Sequence, residues 1–149
     1  MPVSEICNRE VVVIQKNESV VDAAKLMRKH HIGDVLVVED RTGIRVPVGI
    51  VTDRDLVMEV LAVELDGACL TVEEIMEQEV VTIQEGTGIF EAIQYMRQKA
   101  VRRLPVVNNQ GGLIGILTLD DILELLSEGL LSLSHLVKRE QQKEEKIRS

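Results

Sequence analysis

The chain has 149 residues, with 25 acidic side chains against 17 lysines and arginines and a formal net charge of −8. Its length suits one domain or two small ones, and its core must be aliphatic because aromatic residues make up only 1% of the chain. An acidic chain without aromatic rings has neither the positive field nor the stacking surfaces that nucleic acid requires, so we expect no nucleic-acid partner.

The first half of the chain predicts the order strand, helix, strand, strand, helix. Residues 11–14 form a β-branched run that is typical of a strand. Ser19 predicts the start of a helix, whose spacing turns four residues inward: Val20, Ala23, Ala24 and Met27. Residues 35–38 and 46–51 predict a hairpin around a glycine-containing turn. A second helix is predicted to begin at Thr52 and to run through Leu56 and Val60.

The second half repeats this pattern. A shift of 69 positions aligns residues 5–38 with 74–107 and leaves 12 of those 34 positions identical, whereas a shift of 66 aligns 49–55 with 115–121. The three-residue difference falls in the predicted hairpin turn, where insertions are tolerated. The second copy therefore predicts a further set of elements: strand 80–83, helix 89–100, strands 104–107 and 113–117, and a helix from Asp120.

Each copy of about 50 residues is too small to bury an aliphatic core comfortably alone. We therefore expect an α/β fold in which two β-α-β-β-α repeats pack together with approximate two-fold symmetry. The predicted boundaries are 3–66 for the first repeat, 72–126 for the second and 127–149 for a helical tail.

The tail carries an apolar seam with steps of three and four residues, formed by Leu123, Leu126, Leu130, Leu133 and Val137. Two interpretations stay open: a helix packed on its own domain, or a dimer seam. Residues 127–129, Ser-Glu-Gly, are expected to weaken the helix locally. Residues 138–149 carry five basic and three acidic side chains and predict a solvated helix end.

The sequence also indicates where the protein works. No apolar run reaches the ~18 residues that cross a bilayer, and residues 1–10 do not resemble a signal peptide, so we expect a cytoplasmic protein without membrane contact. Cys7 and Cys69 lie far apart and show no zinc-ligand spacing, so neither a disulfide nor a metal site is predicted. His30 and His31 are interpreted as surface residues of a helix.

The two most similar spots are the strand-to-helix junctions GIVTDRD (49–55) and GILTLDD (115–121). Thr-x-x-Asp at such a junction is typical of a capping box, which contributes roughly 1 kcal/mol without any ligand. The same geometry also suits a ligand, because unpaired N–H groups and a hydroxyl can bind a phosphate while a carboxylate accepts hydrogen bonds from ribose hydroxyls. Each motif alone favours the capping interpretation.

These paired junctions, the element order, and the segments Glu74-Ile75-Met76 and Val101-Arg102-Arg103-Leu104-Pro105-Val106-Val107 resemble a tandem cystathionine-β-synthase (CBS) domain pair, or Bateman module. The resemblance covers roughly residues 3–126 and implies a stand-alone sensor of adenosine compounds such as AMP, ADP, ATP, NAD or S-adenosylmethionine. It also implies two clefts between the halves, a homodimer formed through helices, and a regulated protein acted on in trans.

The resemblance also implies the site residues. Asp55 and Asp121 bind ribose hydroxyls, with Thr52 and Thr118 near the phosphates. One adenine slot is implied for Cys7, Val12 and Ile32 opposite Ile116, Thr118 and Asp121, with Gly33 among the binding residues. The other slot is implied for Met76, Val81 and Val101 opposite Ile50, Thr52 and Asp55.

The two halves differ in charge. Arg102 and Arg103 are expected to face the phosphates, whereas the matching residues of the first half are Gly33 and Asp34; Arg54 is likewise replaced by Asp120. We therefore expect the site that contains Thr52, Arg54, Asp55, Arg102 and Arg103 to bind nucleotide better than the site that contains Thr118 and Asp121. An alternative interpretation makes the two arginines ordinary surface residues.

Two other functions compete with a non-catalytic sensor. A metal-dependent hydrolase could use carboxylates of Asp53, Asp55, Asp120 and Asp121, but nothing in the sequence supplies a nucleophile with an oriented base. A scaffold or dimerisation protein with degenerate sites is the other alternative.

Overall fold

The computed structural model of the protein describes residues 1–148. Eleven helices and strands position the candidate site: β1 (Val13–Gln15), α1 (Val20–His30), β2 (Asp34–Arg41), β3 (Ile44–Thr52), α2 (Asp53–Leu56), α3 (Val72–Ile75), β4 (Ile83–Gln84), α4 (Ile89–Lys99), β5 (Arg103–Val107), β6 (Leu113–Thr118) and α5 (Leu119–Arg148). A 3-10 turn at Val3–Glu5 precedes them, and a π-helical turn at Val57–Leu61 continues α2.

The two halves have the same sheet topology, which confirms the predicted α/β fold with two related repeats. In the first half β1 pairs with β2 in parallel, and β2 pairs with β3 antiparallel; β4, β5 and β6 do the same in the second half. The helix between each parallel pair of strands provides the crossover that such a connection needs.

The two halves exchange short segments. Val3, Ile6 and Cys7 pack into the core of the second half, and Val72, Ile75 and Met76 pack into the core of the first. Backbone hydrogen bonds continue the exchange: the Asn8 N–H donates to the Ile116 carbonyl at 2.9 Å, and the Glu77 N–H donates to the Ile50 carbonyl at 3.1 Å. Each segment thereby covers the free edge of the last strand in the opposite sheet.

Two glycines make this exchange possible. A Cβ at Gly115 would lie 2.7 Å from the Asn8 carbonyl oxygen and 2.8 Å from the Cys7 Sγ. A Cβ at Gly49 would clash with the Met76 Sδ. The exchanged segments can approach β3 and β6 this closely only because both positions lack a side chain.

Some sequence expectations of local structure differ from what is observed. Both first strands begin later than predicted, because residues 11–12 and 80–81 lie along the clefts before the ladder starts. Ala24 is exposed, although Val20, Ala23 and Met27 are buried as expected. His31 is not helical: it adopts a left-handed conformation (φ 54°) at the end of α1, as Ala100 does at the end of α4 (φ 55°).

Helix α5 is continuous through residues 127–129, so the expected weakening there is wrong. Gly129 lies between good helix formers, whose propensity outweighs one glycine at a cost of about 1 kcal/mol. Every residue from 126 to 148 is exposed, so this part of the helix is not packed on its own domain. Along residues 1–148, no helix is both long and apolar enough to cross a membrane.

Candidate functional site

Two clefts lie between the halves. The first cleft has a volume of about 310 Å³ and is lined by Ile50, Thr52, Glu77, Glu79, Val80, Val81, Val101, Arg102, Arg103 and Pro105. The second cleft has a volume of about 220 Å³ and is lined by Asn8, Glu10, Val11, Val12, Ile32, Asp34, Leu36, Arg103, Ile116 and Thr118. Nine residues of each cleft match residues of the other by the shifts of 69 and 66, so the clefts are pseudo-symmetric copies.

The walls of the first cleft come from both halves. Ile50 and Thr52 lie at the end of β3 in the first half, whereas Val81 and Val101 precede strands of the second half. Arg102 is exposed at this cleft, and Arg103 is half-buried beside it. Apolar walls with a hydroxyl and guanidinium groups at the edge suit a ligand with a flat apolar part and an anionic part.

Arg102 marks a difference between otherwise matching backbones. The Leu119 N–H donates to the Arg102 carbonyl at 2.8 Å, and the Asp53 N–H donates to the Gly33 carbonyl at the same distance. A Cβ at Gly33 would lie 3.0 Å from the Asp53 Oδ2. The carboxylate of Asp53 therefore lies where the equivalent position of the second half carries an arginine side chain.

Arg103 and Asp34, which occupy equivalent positions in the two repeats, form an ion pair with Nη1 and Oδ1 2.6 Å apart. Arg103 lines both clefts, and Asp34 lines the second. The Nε of Arg103 is buried and has no hydrogen-bond partner among the described residues. The pair therefore separates the two clefts and leaves the arginine with unused donor capacity.

The predicted ribose-binding carboxylates are engaged in helix caps. The Asp55 Oδ2 accepts from the Thr52 N–H at 2.9 Å, and the Asp55 N–H donates to the Thr52 Oγ1 at 3.1 Å. Asp121 and Thr118 make the same two contacts at 3.3 and 3.1 Å. The cap uses one carboxylate oxygen of Asp55 and one of Asp121. Binding of ribose by these carboxylates stays a prediction.

The structure brings many predicted site residues together and leaves others outside the cleft walls. Ile50, Thr52, Val81, Val101, Arg102 and Arg103 line the first cleft, and Val12, Ile32, Ile116 and Thr118 line the second. Six predicted site residues line neither cleft. They are Arg54, Asp55 and Met76, which were predicted for the first site, and Cys7, Gly33 and Asp121, which were predicted for the second. Met76 and Cys7 pack behind the clefts, in the exchanged cores.

Sequence reasoning missed four polar residues of the clefts. Glu77 and Glu79 line the first cleft, and their equivalents Asn8 and Glu10 line the second. The signal that could have found them is the shift of 69 itself, since these residues lie directly between two segments that it aligns.

The family comparison explains this architecture. The sequence profile of the CBS domain matches residues 3–62 and 72–128, which together cover most of the chain. The chain belongs to the CBS domain family. It carries two CBS domains in tandem, as the resemblance implied.

Relatives of this CBS pair include proteins of unestablished function. The chain is 38% identical over 123 residues to the uncharacterized protein MK0525 of Methanopyrus kandleri. The matched region is 83% of this chain and 61% of that protein. It is 34% identical over 120 residues to the CBS domain-containing protein YhcV of Bacillus subtilis, covering 80% of this chain and 81% of that one.

Solved structures of CBS-domain proteins share the fold. A protein with CBS domains from Burkholderia ambifaria, assigned to signal transduction, matches with a TM-score of 0.72 and 31% identity, covering 85% of this chain and 93% of its own. The CBS domain pair of protein MJ0100, in complex with 5-methylthioadenosine and S-adenosyl-L-methionine, matches with a TM-score of 0.71 and 28% identity, covering 85% of this chain and 99% of its own.

Burial changes the acidity of two groups near the clefts of the CBS pair. Burial raises the pKa of the Asp34 carboxyl, and this effect outweighs the opposite influence of the Arg103 guanidinium. Burial also raises the pKa of the Cys7 thiol, which therefore stays protonated at neutral pH. Asp34 is therefore protonated, and its ion pair with Arg103 lost, at a higher pH than for an exposed aspartate.

Proposed function

We propose that the chain is a non-catalytic regulatory module that binds an adenosine-containing ligand, such as AMP, ADP, ATP, NAD or S-adenosylmethionine, in its first cleft. One observation carries the proposal: the first cleft combines apolar walls from both halves with the Thr52 hydroxyl on one side and Arg102 and Arg103 on the other. Its volume reaches the range of about 300–1,000 Å³ that small-molecule sites occupy. The CBS pair of MJ0100, which binds two adenosine compounds, supports the same ligand class.

The residues have separate roles in this proposal. Val81 and Val101 hold the adenine from the second half, and Ile50 holds it from the first. Arg102 and Arg103 bind the phosphates with charge-assisted hydrogen bonds, which offset the net negative charge of the protein. Asp55 does not itself line the cleft, but it is hydrogen-bonded to Thr52, which does, and in this proposal its second carboxylate oxygen accepts a hydrogen bond from a ribose hydroxyl.

A ligand in this position contacts both halves at once. It therefore stabilises the relative arrangement of the halves that fits it best, and this difference in affinity is the energy available for a signal. The protein that the signal regulates, expected to act in trans, stays a prediction. The expectation of a cytoplasmic location stays a prediction.

Thermal unfolding with the panel AMP, ADP, ATP, NAD and S-adenosylmethionine tests the proposal. A ligand at 100 times its dissociation constant stabilises the fold by ~2.7 kcal/mol, which raises the melting temperature by a few degrees in a chain of this size. For a phosphate-bearing ligand, Arg102→Ala should remove about half of this rise or more, since tenfold weaker binding leaves roughly 1.4 of the ~2.7 kcal/mol. Arg45→Ala, an exposed arginine of β3 outside both clefts, is the matched control and should retain it.

The other outcomes distinguish the alternatives. No rise with any member of the panel contradicts ligand binding and favours a scaffold. Multiple-turnover consumption of a nucleotide, followed by chromatography, contradicts the non-catalytic assignment and favours a hydrolase.

A further inference from the structure

The outer part of helix α5 presents an apolar seam that its own chain does not cover. Leu126, Leu130, Leu133 and Val137 follow the three-four spacing of a coiled coil, and their exposed fractions are 40, 69, 59 and 54%. Residues 127–148 extend the helix for about 33 Å. A single helix with an uncovered apolar seam is marginal in water, so it requires a partner surface for stability.

The seam continues into an apolar groove on the body of the protein. This groove has a volume of about 830 Å³, and its walls include Ile89 and Phe90 of α4 together with Leu126, Leu130 and Leu133 of α5. Phe90 is 76% exposed. An apolar groove that runs on from an apolar helix seam has the shape to receive another amphipathic helix.

The charges along α5 identify the occupant and its direction. Residues 119–130 carry four acidic side chains, Asp120, Asp121, Glu124 and Glu128, and no lysine or arginine. Residues 131–148 carry five lysines and arginines against three glutamates. The helix is therefore acidic in its first part and basic in its second, so it is complementary in charge to a reversed copy of itself.

We propose that α5 pairs with α5 of a second copy of this chain in antiparallel orientation, and that the second half of each helix enters the apolar groove of the other copy. This inference does not depend on the ligand proposed above. It follows from the uncovered seam, the adjoining groove and the reversal of charge along one helix.

One register satisfies the seam and the charges together. Placing Leu130 of one copy opposite Leu133 of the second copy also brings Leu126 opposite Val137. The same register brings Glu124 level with Arg139 and Asp120 level with Lys143. A parallel pair, in contrast, would place the four acidic residues of one copy beside the same four of the other, which is unfavourable.

The first test measures molar mass by light scattering during size-exclusion chromatography. Wild type should have at least twice the chain mass of 16.7 kDa, and Leu133→Glu should halve the measured mass. Leu131→Glu is the matched control, since Leu131 is 58% exposed on the neighbouring face of the same helix and should leave the mass unchanged. A monomeric wild type, an unchanged mass for Leu133→Glu, or an equal loss for Leu131→Glu overturns the proposal.

Circular dichroism provides the folding check for these variants. Because Leu133 is exposed in the single chain, Leu133→Glu should leave the unfolding of the two repeats cooperative. If Leu133→Glu loses this cooperative transition, Leu130→Glu takes its place and must halve the mass in the same way.

The second test determines the direction of pairing by oxidative cross-linking in a chain with Cys7→Ser and Cys69→Ser. A mixture of Leu126→Cys and Val137→Cys chains should form a mixed disulfide between copies, and Val137→Cys alone should not cross-link. In a parallel pair each residue faces itself, so efficient cross-linking of Val137→Cys alone contradicts the antiparallel arrangement. Absence of the mixed disulfide contradicts the proposed register.

Discussion

The two clefts are built from equivalent residues, yet they differ in size and charge. Both have apolar walls and one threonine from a strand-to-helix junction. The first cleft is lined by two arginines, Arg102 and Arg103, and two glutamates, whereas the charged residues that line the second are Arg103, Asp34 and Glu10. The two clefts therefore share the pattern of their apolar walls and differ in the charged residues at their edges, which is why we propose an anionic ligand for the first cleft only.

The largest expected change in the free energy of unfolding comes from substitutions where the exchanged segments pack against the two halves. Gly115→Ala places a methyl group against the backbone of Asn8, which cannot move without displacing the segment, so we expect a loss of about 1–3 kcal/mol in the free energy of unfolding. Gly49→Ala should cost less, because its nearest obstacle is the flexible Met76 side chain and the nearest backbone atom, the Glu77 carbonyl oxygen, lies at 3.2 Å.

Urea denaturation of the two variants measures this difference. Gly86→Ala is the control, because no atom lies within 4 Å of its added methyl group, and its free energy of unfolding should stay within about 0.5 kcal/mol of wild type. A greater loss for Gly49→Ala than for Gly115→Ala would contradict this account of the exchange.

Arg103 should matter for the stability of the molecule, and Arg102 should not. Arg103→Ala leaves the largely buried Asp34 carboxyl without its partner, so we expect the free energy of unfolding to fall by about 1–3 kcal/mol. Arg102→Ala removes an exposed side chain and should change this energy by less than about 0.5 kcal/mol. Chemical denaturation without ligand compares the two, and equal losses would mean that the ion pair does not join the halves.

Arg102, which should contribute little to stability, should contribute to ligand affinity, and only in the first cleft. Arg102→Ala should weaken binding of a phosphate-bearing adenosine ligand in the first cleft by roughly tenfold or more, since a charge-assisted hydrogen bond is worth about 1.5–3 kcal/mol. Binding in the second cleft should not change, because Arg102 does not line it. Isothermal titration calorimetry measures both sites, and equal weakening of the two would contradict the separate roles of the clefts.

The smallest expected effect is a pH dependence from Asp34. Because its pKa is raised in the folded protein, the folded state holds a proton that the unfolded chain has lost, and the free energy of unfolding falls as pH rises from about 3.9 through the raised value. Compared with Asp34→Asn, which has no such titration, wild type should lose stability over this range. A stability difference that grows with pH would show that the Arg103 ion pair dominates instead.

The sequence predicted the repeats, the sheet topology and most of the apolar cleft walls, because matched spacing in two copies is strong evidence of a shared structure. Val81 and Val12, or Thr52 and Thr118, could be assigned in pairs for this reason. The ion pair between Asp34 and Arg103 could not be predicted, because it joins equivalent positions of the two repeats and depends on how these pack. The continuity of α5 through Gly129 does not follow from local propensity alone, because the helix formers on both sides outweigh one glycine.

The most direct test of ligand binding in the first cleft is a titration of the isotope-labelled protein with AMP, followed by two-dimensional NMR. We expect the amide signals of Thr52, Val81 and Arg102 to shift at lower AMP concentration than those of Val12, Ile32 and Thr118. Shifts that begin at the second group, or no shifts at either group for any adenosine ligand tested, would contradict this expectation.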